Sequence, residues 1–278
     1  MELSEIYNRP KTQISFEIFP PKNGDISELF DQLRILKKYN PALISLTYES
    51  NGRNGDLSFD ILRMIIDLEL TPMPHLTCIC STKELIEHYI VQIENMGIEN
   101  ILALRGNKID NPYCCLDFKY ANDLVDFIHQ KSTLSIGVGG YPHPHPDSEN
   151  LSKDIENLKK KVDAGADAIF TNLFFENDIF YNYLEQVRRV GIDVPVIAGI
   201  MPIRSLNQIQ KLLESTNVKL PQNLVDRLNK YPNDSEKICI DYTTNQCMEL
   251  IKNNVSGLHF YTLNKSDLVA KILDNIAV

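Results

Sequence analysis

The stretch ISFEIFPPK, residues 14–22, has the pattern of a buried β-strand that ends at two prolines, and it contains one carboxylate. Side chains alternate along a strand, so Ile14, Phe16 and Ile18 share one face and Glu17 lies on the other. A buried, unpaired carboxylate costs several kcal/mol or takes up a proton. Glu17 therefore has a partner, or its environment serves a function.

Further apolar, β-rich segments follow this one at a spacing of roughly 30 residues. In chain order the eight segments are ISFEIFPP, ALISLTY, MPHLTCIC, NILALRG, LSIGVGGYP, AIFTNLFF, PVIAGIMP and GLHFYTLN. Amphipathic helical stretches separate them, and a longer helical insert, residues 204–254, precedes the last one. Parallel strands need helical crossovers, so this alternation predicts an α/β fold, a single-domain (β/α)8 TIM barrel over residues 1–278. A doubly wound open sheet is the alternative, which eight even repeats disfavour.

The barrel gives the first strand a direction. Its apolar face should meet the helices, so Glu17 points into the barrel near the C-terminal mouth, where such barrels carry their chemistry. Polar residues lie at or near the ends of most of the other strands as well: Thr47, Tyr48, His75, Thr77, Arg105, Asn107, Tyr141, Thr171, Asn172, Tyr261 and Asn264. One such residue is usually a satisfied core group, but this number predicts a site at the mouth.

The stretch GVGGYPHPHP, residues 137–146, lacks the GxGxxG spacing of a dinucleotide-binding turn. Its glycines either let a flat ligand lie against the backbone or relieve crowding in the barrel. A metal centre at His75, His143 and His145 is disfavoured because acidic co-ligands are not evident. Hydrogen bonds from His75 and His145 to the phosphate or sugar of a cofactor suit this location better.

The helical stretch after these prolines carries four polar residues at its start and centre. Asp154, Asn157 and Lys161 share one face, because spacings of three and four residues align on a helix. Lys160 and Lys161 would suit a pyrophosphate beside the mouth. A solvated charged face is the alternative.

Composition limits the possible partners and the location. The net charge of −9 argues against a nucleic-acid surface. The sequence has no apolar run of bilayer length and no hydrophobic N-terminal signal, so we expect a cytoplasmic protein without membrane contact. The six cysteines lack a CxxC pair for zinc, and we expect reduced thiols, with Cys78 and Cys80 on one strand.

Taken together, the chain resembles the flavin-dependent methylenetetrahydrofolate reductases of the bacterial, single-domain type. The motifs that carry the resemblance, in this order and spacing, are ISFEIFPPK, PHLTC, ILALRG, GGYPHPHP, NLKKKVDAGAD and HFYTLN. The resemblance implies an FAD-containing barrel that takes electrons from NADH and reduces 5,10-methylenetetrahydrofolate to 5-methyltetrahydrofolate, the methyl source for methionine synthesis. It also implies a homo-oligomer.

Matching positions imply roles for individual residues. Glu17 corresponds to the general acid, and Thr47 to a nicotinamide-binding position. The implied FAD contacts are Tyr48, His75, Arg105, Gly106, Asn107, Ala121, Tyr141, His145, Asp154, Asn157, Lys160 and Lys161. The implied folate contacts are Asn107, Asn172 and Lys265.

The implied chemistry gives Glu17 a task. Opening of the five-membered folate ring requires a proton on the departing N10, and a carboxylic acid with a raised pKa can supply it near neutral pH. We expect the apolar neighbours of Glu17 to raise its pKa by desolvation. Nicotinamide and pterin would stack in turn on the same flavin face, which predicts ping-pong kinetics.

The chain departs from the best-known bacterial pattern near the substrate. Asn107 stands where an aspartate is expected, Asn172 where a glutamine is expected, and Lys265 where an arginine is expected. A neutral Asn107 should raise the flavin potential and weaken stabilisation of a substrate cation. These differences leave two alternatives open, a reductase of a modified pterin and a flavin-free folate-binding subunit. A metal-dependent hydrolase that uses the histidines is a third.

Overall fold

A computed structural model describes residues 1–47, 55–106, 117–213 and 216–276, without the side chains of residues 55, 56, 211 and 212. Within these ranges eight parallel strands form one closed barrel in sequential order. The strands are β1 (Gln13–Ile18), β2 (Leu43–Leu46), β3 (Pro72–Thr77), β4 (Asn100–Leu104), β5 (Ser135–Gly140), β6 (Ala168–Leu173), β7 (Val196–Ile200) and β8 (Gly257–Tyr261). The predicted (β/α)8 barrel is confirmed, and the open-sheet alternative is wrong.

Closure joins the first strand to the last. Ser15 lies beside His259 in the ladder of β1 and β8, and Glu17 lies beside Tyr261. On its other edge, Glu17 lies beside Ser45 of β2. These partners share the inward face of the barrel, because alternation along parallel strands keeps paired residues on one side.

Helices connect the strands. In chain order the α-helices are α1 (Leu3–Tyr7), α2 (Ser27–Lys37), α3 (Gly55–Asp67), α4 (Lys83–Asn95), α5 (Ala121–Lys131), α6 (Leu151–Asp163), α7 (Asn177–Arg189), α8 (Leu206–Leu213), α9 (Gln222–Lys230), α10 (Ser235–Lys252) and α11 (Ser266–Asn275). Local signals fix several of their ends. Thr82 caps α4 by accepting a hydrogen bond from the Leu85 N–H, and Asn150 caps α6 in the same way from the Lys153 N–H.

Apolar side chains fill two layers. Ile14, Phe16 and Ile18 are at most 5% exposed and pack with the surrounding helices in the largest core cluster, as predicted. A second layer lies inside the barrel, where α1 contributes Leu3 and Tyr7. The Leu3 N–H donates to Ser135 Oγ at 3.1 Å, so α1 lies against the N-terminal end of the barrel and leaves the opposite end as the mouth.

The predicted insert before β8 is confirmed. It contains α8, α9, a short 3-10 helix (Pro232–Asp234) and α10. Its apolar residues form a separate cluster with Leu173, the last residue of β6, and Met201, the residue after β7. Arg204 binds both Glu236 of α10 and Asp267 of α11. The insert is therefore attached at the C-terminal side of the barrel.

The cysteine prediction is wrong in two respects. Strand β3 ends at Thr77, so Cys78 and Cys80 lie beyond it, and Cys80 has a left-handed φ of 55°. Cys80 is disulfide-bonded, whereas Cys78, Cys239 and Cys247 are free and buried. Sequence spacing gave no sign of the bridge, because disulfide connectivity depends on which loops the fold brings together. Among the described helices, none has the length and apolar character needed to cross a bilayer.

Candidate functional site

Glu17 lies near the end of β1 at the mouth of the barrel. Its side chain is 22% exposed, so it is enclosed but reaches open space. Its backbone carbonyl accepts a hydrogen bond of 2.7 Å from the Thr262 hydroxyl. Two residues further on, the Asn264 amide accepts from the Phe19 N–H at 3.0 Å and donates to the Phe19 carbonyl at 2.7 Å. The segment after β8 thus holds the backbone that carries Glu17.

Two buried histidines face the Glu17 carboxylate. Its Oε2 lies 3.6 Å from His75 Nε2 and 3.9 Å from His259 Nε2. Each imidazole contacts a buried serine: Ser45 Oγ for His75 and Ser15 Oγ for His259. His75 therefore comes from β3, two strands away from β1, and His259 comes from β8, the neighbour of β1 on its other side.

The expectation of a raised pKa for Glu17 is wrong for the ligand-free protein. Burial alone would raise the pKa of Glu17, but the imidazole of His259 and the charges of His75 and His259 outweigh burial and lower it. Burial lowers the pKa of His75 to about 4, although the Glu17 charge opposes this shift. Because His75 is neutral well above that pH, its charge no longer acts on Glu17 at pH 7. The contact with the His259 imidazole needs no charge on the histidine, so it also lowers the pKa of Glu17 at neutral pH.

A cavity of about 1060 Å³ opens beside these groups. Eleven of the residues that the sequence predicts to bind the dinucleotides line it: Thr47, His75, Arg105, Gly106, Ala121, Tyr141, His145, Asp154, Asn157, Lys160 and Lys161. Some lie at or after the ends of strands β2 to β5. The others lie at the start of α5 and along α6. Residues scattered over more than a hundred positions thus share one cavity.

The α6 side of the cavity is polar and organised. The Asp154 carboxylate accepts a hydrogen bond of 2.6 Å from the His145 N–H, and Lys160 Nζ donates to Asn157 at 3.1 Å. Lys161 Nζ donates to the carbonyl of Gly139. Burial lowers the pKa of Lys161 to about 8, against the raising effect of Asp154. A half-buried ammonium with so little compensation is suited to an anionic ligand.

The glycines of β5 serve two purposes. A Cβ at Gly137 would approach the Phe170 ring to 2.9 Å, and one at Gly140 would collide with Tyr183, so these two relieve crowding. Gly139 lines the cavity, and the nearest described atom to an added Cβ there is a Leu104 methyl at 3.5 Å. Gly139 therefore leaves the cavity wall open to a flat ligand.

The lining fits a flavin dinucleotide on three grounds. Cationic and imidazole side chains line the cavity and can donate hydrogen bonds to a pyrophosphate, and Gly139 gives a flat stretch of wall. Thr77 is 6% exposed, and its hydroxyl has no hydrogen-bond partner among the described residues, although it lines the cavity. In the part of the chain that the structure describes, no three His, Cys, Asp or Glu side chains cluster as a metal site would require.

Comparison with known proteins identifies the family. The family model for methylenetetrahydrofolate reductase matches residues 2–277. The chain belongs to the methylenetetrahydrofolate reductase family. The 5,10-methylenetetrahydrofolate reductase of Buchnera aphidicola subsp. Schizaphis graminum is 37% identical over 269 residues, which cover 94% of this chain and 91% of that protein.

Plant and yeast relatives are longer. Methylenetetrahydrofolate reductase (NADH) 1 of Arabidopsis thaliana is 32% identical over 302 residues, covering 100% of this chain and 50% of that protein. The chain spans about half the length of the plant and fission-yeast relatives it matches. Among solved structures, a Clostridium thermocellum protein that binds two copies of 5-methyl-5,6,7,8-tetrahydrofolic acid matches with a TM-score of 0.67 at 12% identity, covering 99% of this chain and 98% of that one. At this identity the match shows the fold alone.

The residues predicted to contact folate are less completely assembled. Asn172 lines a second cavity of about 370 Å³, which shares Arg105, Tyr141 and His145 with the first. Lys265 is not among the described residues that line either cavity; its ammonium lies 3.3 Å from Glu28 and is 62% exposed. Tyr48 and Asn107 lie outside the described residues.

Sequence reasoning assigned no role to several residues of this family member's site. Ser15, Ser45 and His259 surround Glu17 but were not predicted to take part. The signal that could have found them is alternation: Ser15 and Glu17 share a face, as do His259 and Tyr261. What the sequence alone does not give is the register that brings His259 beside Ser15.

Proposed function

We propose that this chain reduces 5,10-methylenetetrahydrofolate to 5-methyltetrahydrofolate with NADH as electron donor and FAD as bound cofactor, and so supplies methyl groups for methionine synthesis. The observation that carries the proposal is the shared cavity of eleven predicted cofactor positions with Glu17 beside it. Membership of the family and the names of its relatives support the choice of substrate.

In this proposal α6 and the segment after β5 hold the dinucleotide. Lys160, Lys161 and the His145 imidazole supply donors to the pyrophosphate, and Arg105 adds charge from the end of β4. Arg105 already lies 3.0 Å from Asp147, so part of its charge is balanced within the protein. Gly139 lets the flat ring system approach the wall, and the unpartnered Thr77 hydroxyl gains a polar partner.

Held by these residues, FAD would supply a hydride carrier between NADH and the folate. Glu17 protonates the departing N10 as the folate ring opens, which requires Glu17 in its acid form. A ligand that fills the mouth excludes water from a carboxylate that is now 22% exposed, and this added desolvation raises the pKa of Glu17. The proton is thus retained where the substrate needs it.

The alternation of two substrates on one face gives a ping-pong mechanism. Thr47 lines the large cavity on the same side as His75 and is the proposed nicotinamide contact. Asn172 would contact the pterin from the adjoining cavity. Lys265 remains a proposed contact for the folate carboxylates, because its exposed ion pair with Glu28 is worth little and exchanges easily.

The proposal is tested by an anaerobic visible spectrum of the purified protein, recorded before and after NADH and again after methylenetetrahydrofolate. A flavin band that bleaches with NADH and returns with the folate supports both half-reactions. Bleaching without return with this folate overturns the proposed substrate and favours a modified pterin. A protein without a flavin band, even after addition of FAD, overturns the reductase and favours a flavin-free folate-binding subunit.

A further inference from the structure

Two serine–histidine pairs flank Glu17 inside the barrel. Ser45 Oγ lies 2.5 Å from His75 Nε2, and Ser15 Oγ lies 2.8 Å from His259 Nδ1. These four side chains are at most 4% exposed. Such buried polar groups contribute to stability only when their hydrogen bonds are satisfied.

The two imidazoles use different nitrogens. His75 presents one nitrogen, Nε2, both to Ser45 and to Glu17. His259 contacts Ser15 through Nδ1, so its Nε2 is left facing Glu17 at 3.9 Å. That Nε2 is buried and has no hydrogen-bond partner among the described residues. When the Ser15 hydroxyl donates to Nδ1, Nε2 carries the ring proton and presents it to the carboxylate.

Packing fixes the direction in which His259 points. Its ring meets Phe170 edge-on at a centroid distance of 5.2 Å and Tyr261 at 5.5 Å. With Ser15 on the third side, the imidazole is held against rotation. A shift of less than about 1 Å would bring Nε2 and the Glu17 oxygen within hydrogen-bond distance.

We propose that His259, oriented by Ser15, is a positioning residue that stabilises the Glu17 carboxylate formed when its proton leaves for the folate. This inference rests on the proposed function, because it gives Glu17 the role of proton donor. His259 acts through Glu17 and has no contact of its own with the reacting atoms. Its role is distinct from that of His75, which lines the cofactor cavity.

The step balances without any further reactant. The O–H bond of Glu17 breaks and its proton binds N10. The C–N10 bond then breaks with its electron pair on N10, while the N5 lone pair forms a second bond to the methylene carbon. Glu17 keeps the pair of its former O–H bond as a carboxylate, and the Nε2–H of His259 donates a hydrogen bond to it. His259 keeps its proton, so Glu17 must regain one from solvent before the next turnover.

The groups that face this pair stay neutral at working pH. Tyr261 of β8 faces Glu17, and burial raises its pKa well above 10. Tyr7 of α1 lies near Ser15, and burial likewise raises its pKa. Burial lowers the pKa of His75 to about 4. Loss of the His259 contact is therefore expected to appear in the titration of Glu17 itself, as a raised pKa.

The test compares His259→Asn with His259→Gln in the FAD-loaded protein. The asparagine amide can reach Ser15 but not Glu17, whereas the glutamine amide can place a donor near the former Nε2. With enzyme first reduced by NADH, we expect His259→Asn to slow reoxidation by methylenetetrahydrofolate by on the order of 10- to 100-fold, the value of a hydrogen bond to a charged group. In His259→Asn, the descending pH limb, where the reoxidation rate begins to fall, should move to higher pH. Its reduction by NADH should stay within about twofold of wild type. His259→Gln should recover part of the reoxidation rate.

The control outcomes separate the two proposals. Wild-type protein that NADH does not bleach, or that folate does not reoxidise, contradicts the proposed function. Wild-type protein that completes both half-reactions, with an unchanged pH limb in His259→Asn, overturns the role of His259. Equal loss of both half-reactions and of bound flavin would also overturn it, since that is a structural effect. If His259→Asn fails to fold, Ser15→Ala decides: a shifted pH limb supports the role, and an unshifted one overturns it.

Discussion

At the scale of single residues, Glu17 depends on groups that are far away in the sequence. Its backbone carbonyl is held by Thr262, and its carboxylate faces His75 and His259. The apolar neighbours on its own strand point to the helices. Burial acts to raise the pKa of Glu17, but the two imidazoles together outweigh it and lower that pKa. The location of the acid could be predicted from strand alternation, but its pKa could not, because the opposing imidazoles come from other strands.

Gly106 shows the same dependence at one backbone position. Its φ is +87°, and an added Cβ would lie 2.6 Å from an Ile79 methyl. We predict that Gly106→Ala lowers the free energy of unfolding by about 2–4 kcal/mol, from left-handed strain together with the displacement of Ile79. Chemical denaturation measures the loss.

Gly24→Ala is the matched control for this prediction. Gly24 has a φ of +74°, but no described atom lies within 4 Å of an added Cβ. Gly24→Ala is therefore destabilised by backbone strain alone. We expect its loss to be about 1–2 kcal/mol. Equal losses in the two variants would show that the contact with Ile79 is unimportant.

At the scale of elements, α6 combines a structural role with a proposed binding role. Asn150 caps the helix, and Asp154 holds the His145 backbone, so the loop after β5 and the helix are joined. Lys161 lies on the same face, is half-buried and has a pKa that burial lowers, so its charge is costly to the free protein. Sequence spacing predicted this face correctly, but burial of the lysine depends on the neighbouring strand.

We predict that Lys161→Met has opposite effects on stability and on cofactor affinity. The FAD-free protein should become more stable, because methionine fills the space without a buried charge. FAD should bind about tenfold or more weakly, because a charge-assisted contact to the pyrophosphate is lost. Denaturation of the FAD-free protein and fluorescence titration with FAD measure the two effects.

Lys159→Met is the control on the same helix. Lys159 pairs with Asp163 and is 34% exposed, and it is not among the described residues that line the large cavity. FAD affinity should stay unchanged in this variant. If both variants weakened FAD binding equally, the effect would come from the net charge of the protein and not from the position of Lys161.

At the scale of the whole molecule, the closed barrel is what assembles the site. Regular strand–helix alternation was sufficient to predict eight strands and their order in a closed barrel. The sequence did not reveal α1, because a helix of this length has too weak a local pattern to be recognised. It also did not reveal the disulfide at Cys80. It also missed the pairing of Ser15 with His259, since 244 positions separate them and only barrel closure joins them.

Burial of histidine at the centre of this barrel predicts a pH-dependent stability. The pKa of His75 falls from 6.5 to about 4 on folding, chiefly by burial. Between these values the unfolded chain binds more protons, so the free energy of unfolding falls as the pH falls. From pH 7 to pH 5 we expect His75 to account for a loss of about 2 kcal/mol. Carboxylates with lowered pKa values, such as Glu17, act at lower pH.

The measurement is urea denaturation of the wild type, His75→Gln and His88→Gln at these two pH values. His88 is an exposed histidine on α4 and serves as the control. The loss between pH 7 and pH 5 should shrink in His75→Gln and persist in His88→Gln. A loss of the same size in all three proteins would refute the assignment to His75.

In the proposed reaction, Glu17 donates the proton that opens the folate ring beside a flavin held in the large cavity. The most direct test is Glu17→Gln, studied by anaerobic stopped-flow absorbance of the FAD-loaded protein. We predict reduction by NADH within about twofold of wild type, since no proton from Glu17 is needed there. Reoxidation by methylenetetrahydrofolate should be slower by about 100-fold or more, the usual contribution of a general acid. Reoxidation of Glu17→Gln at the wild-type rate would show that Glu17 is not the proton donor.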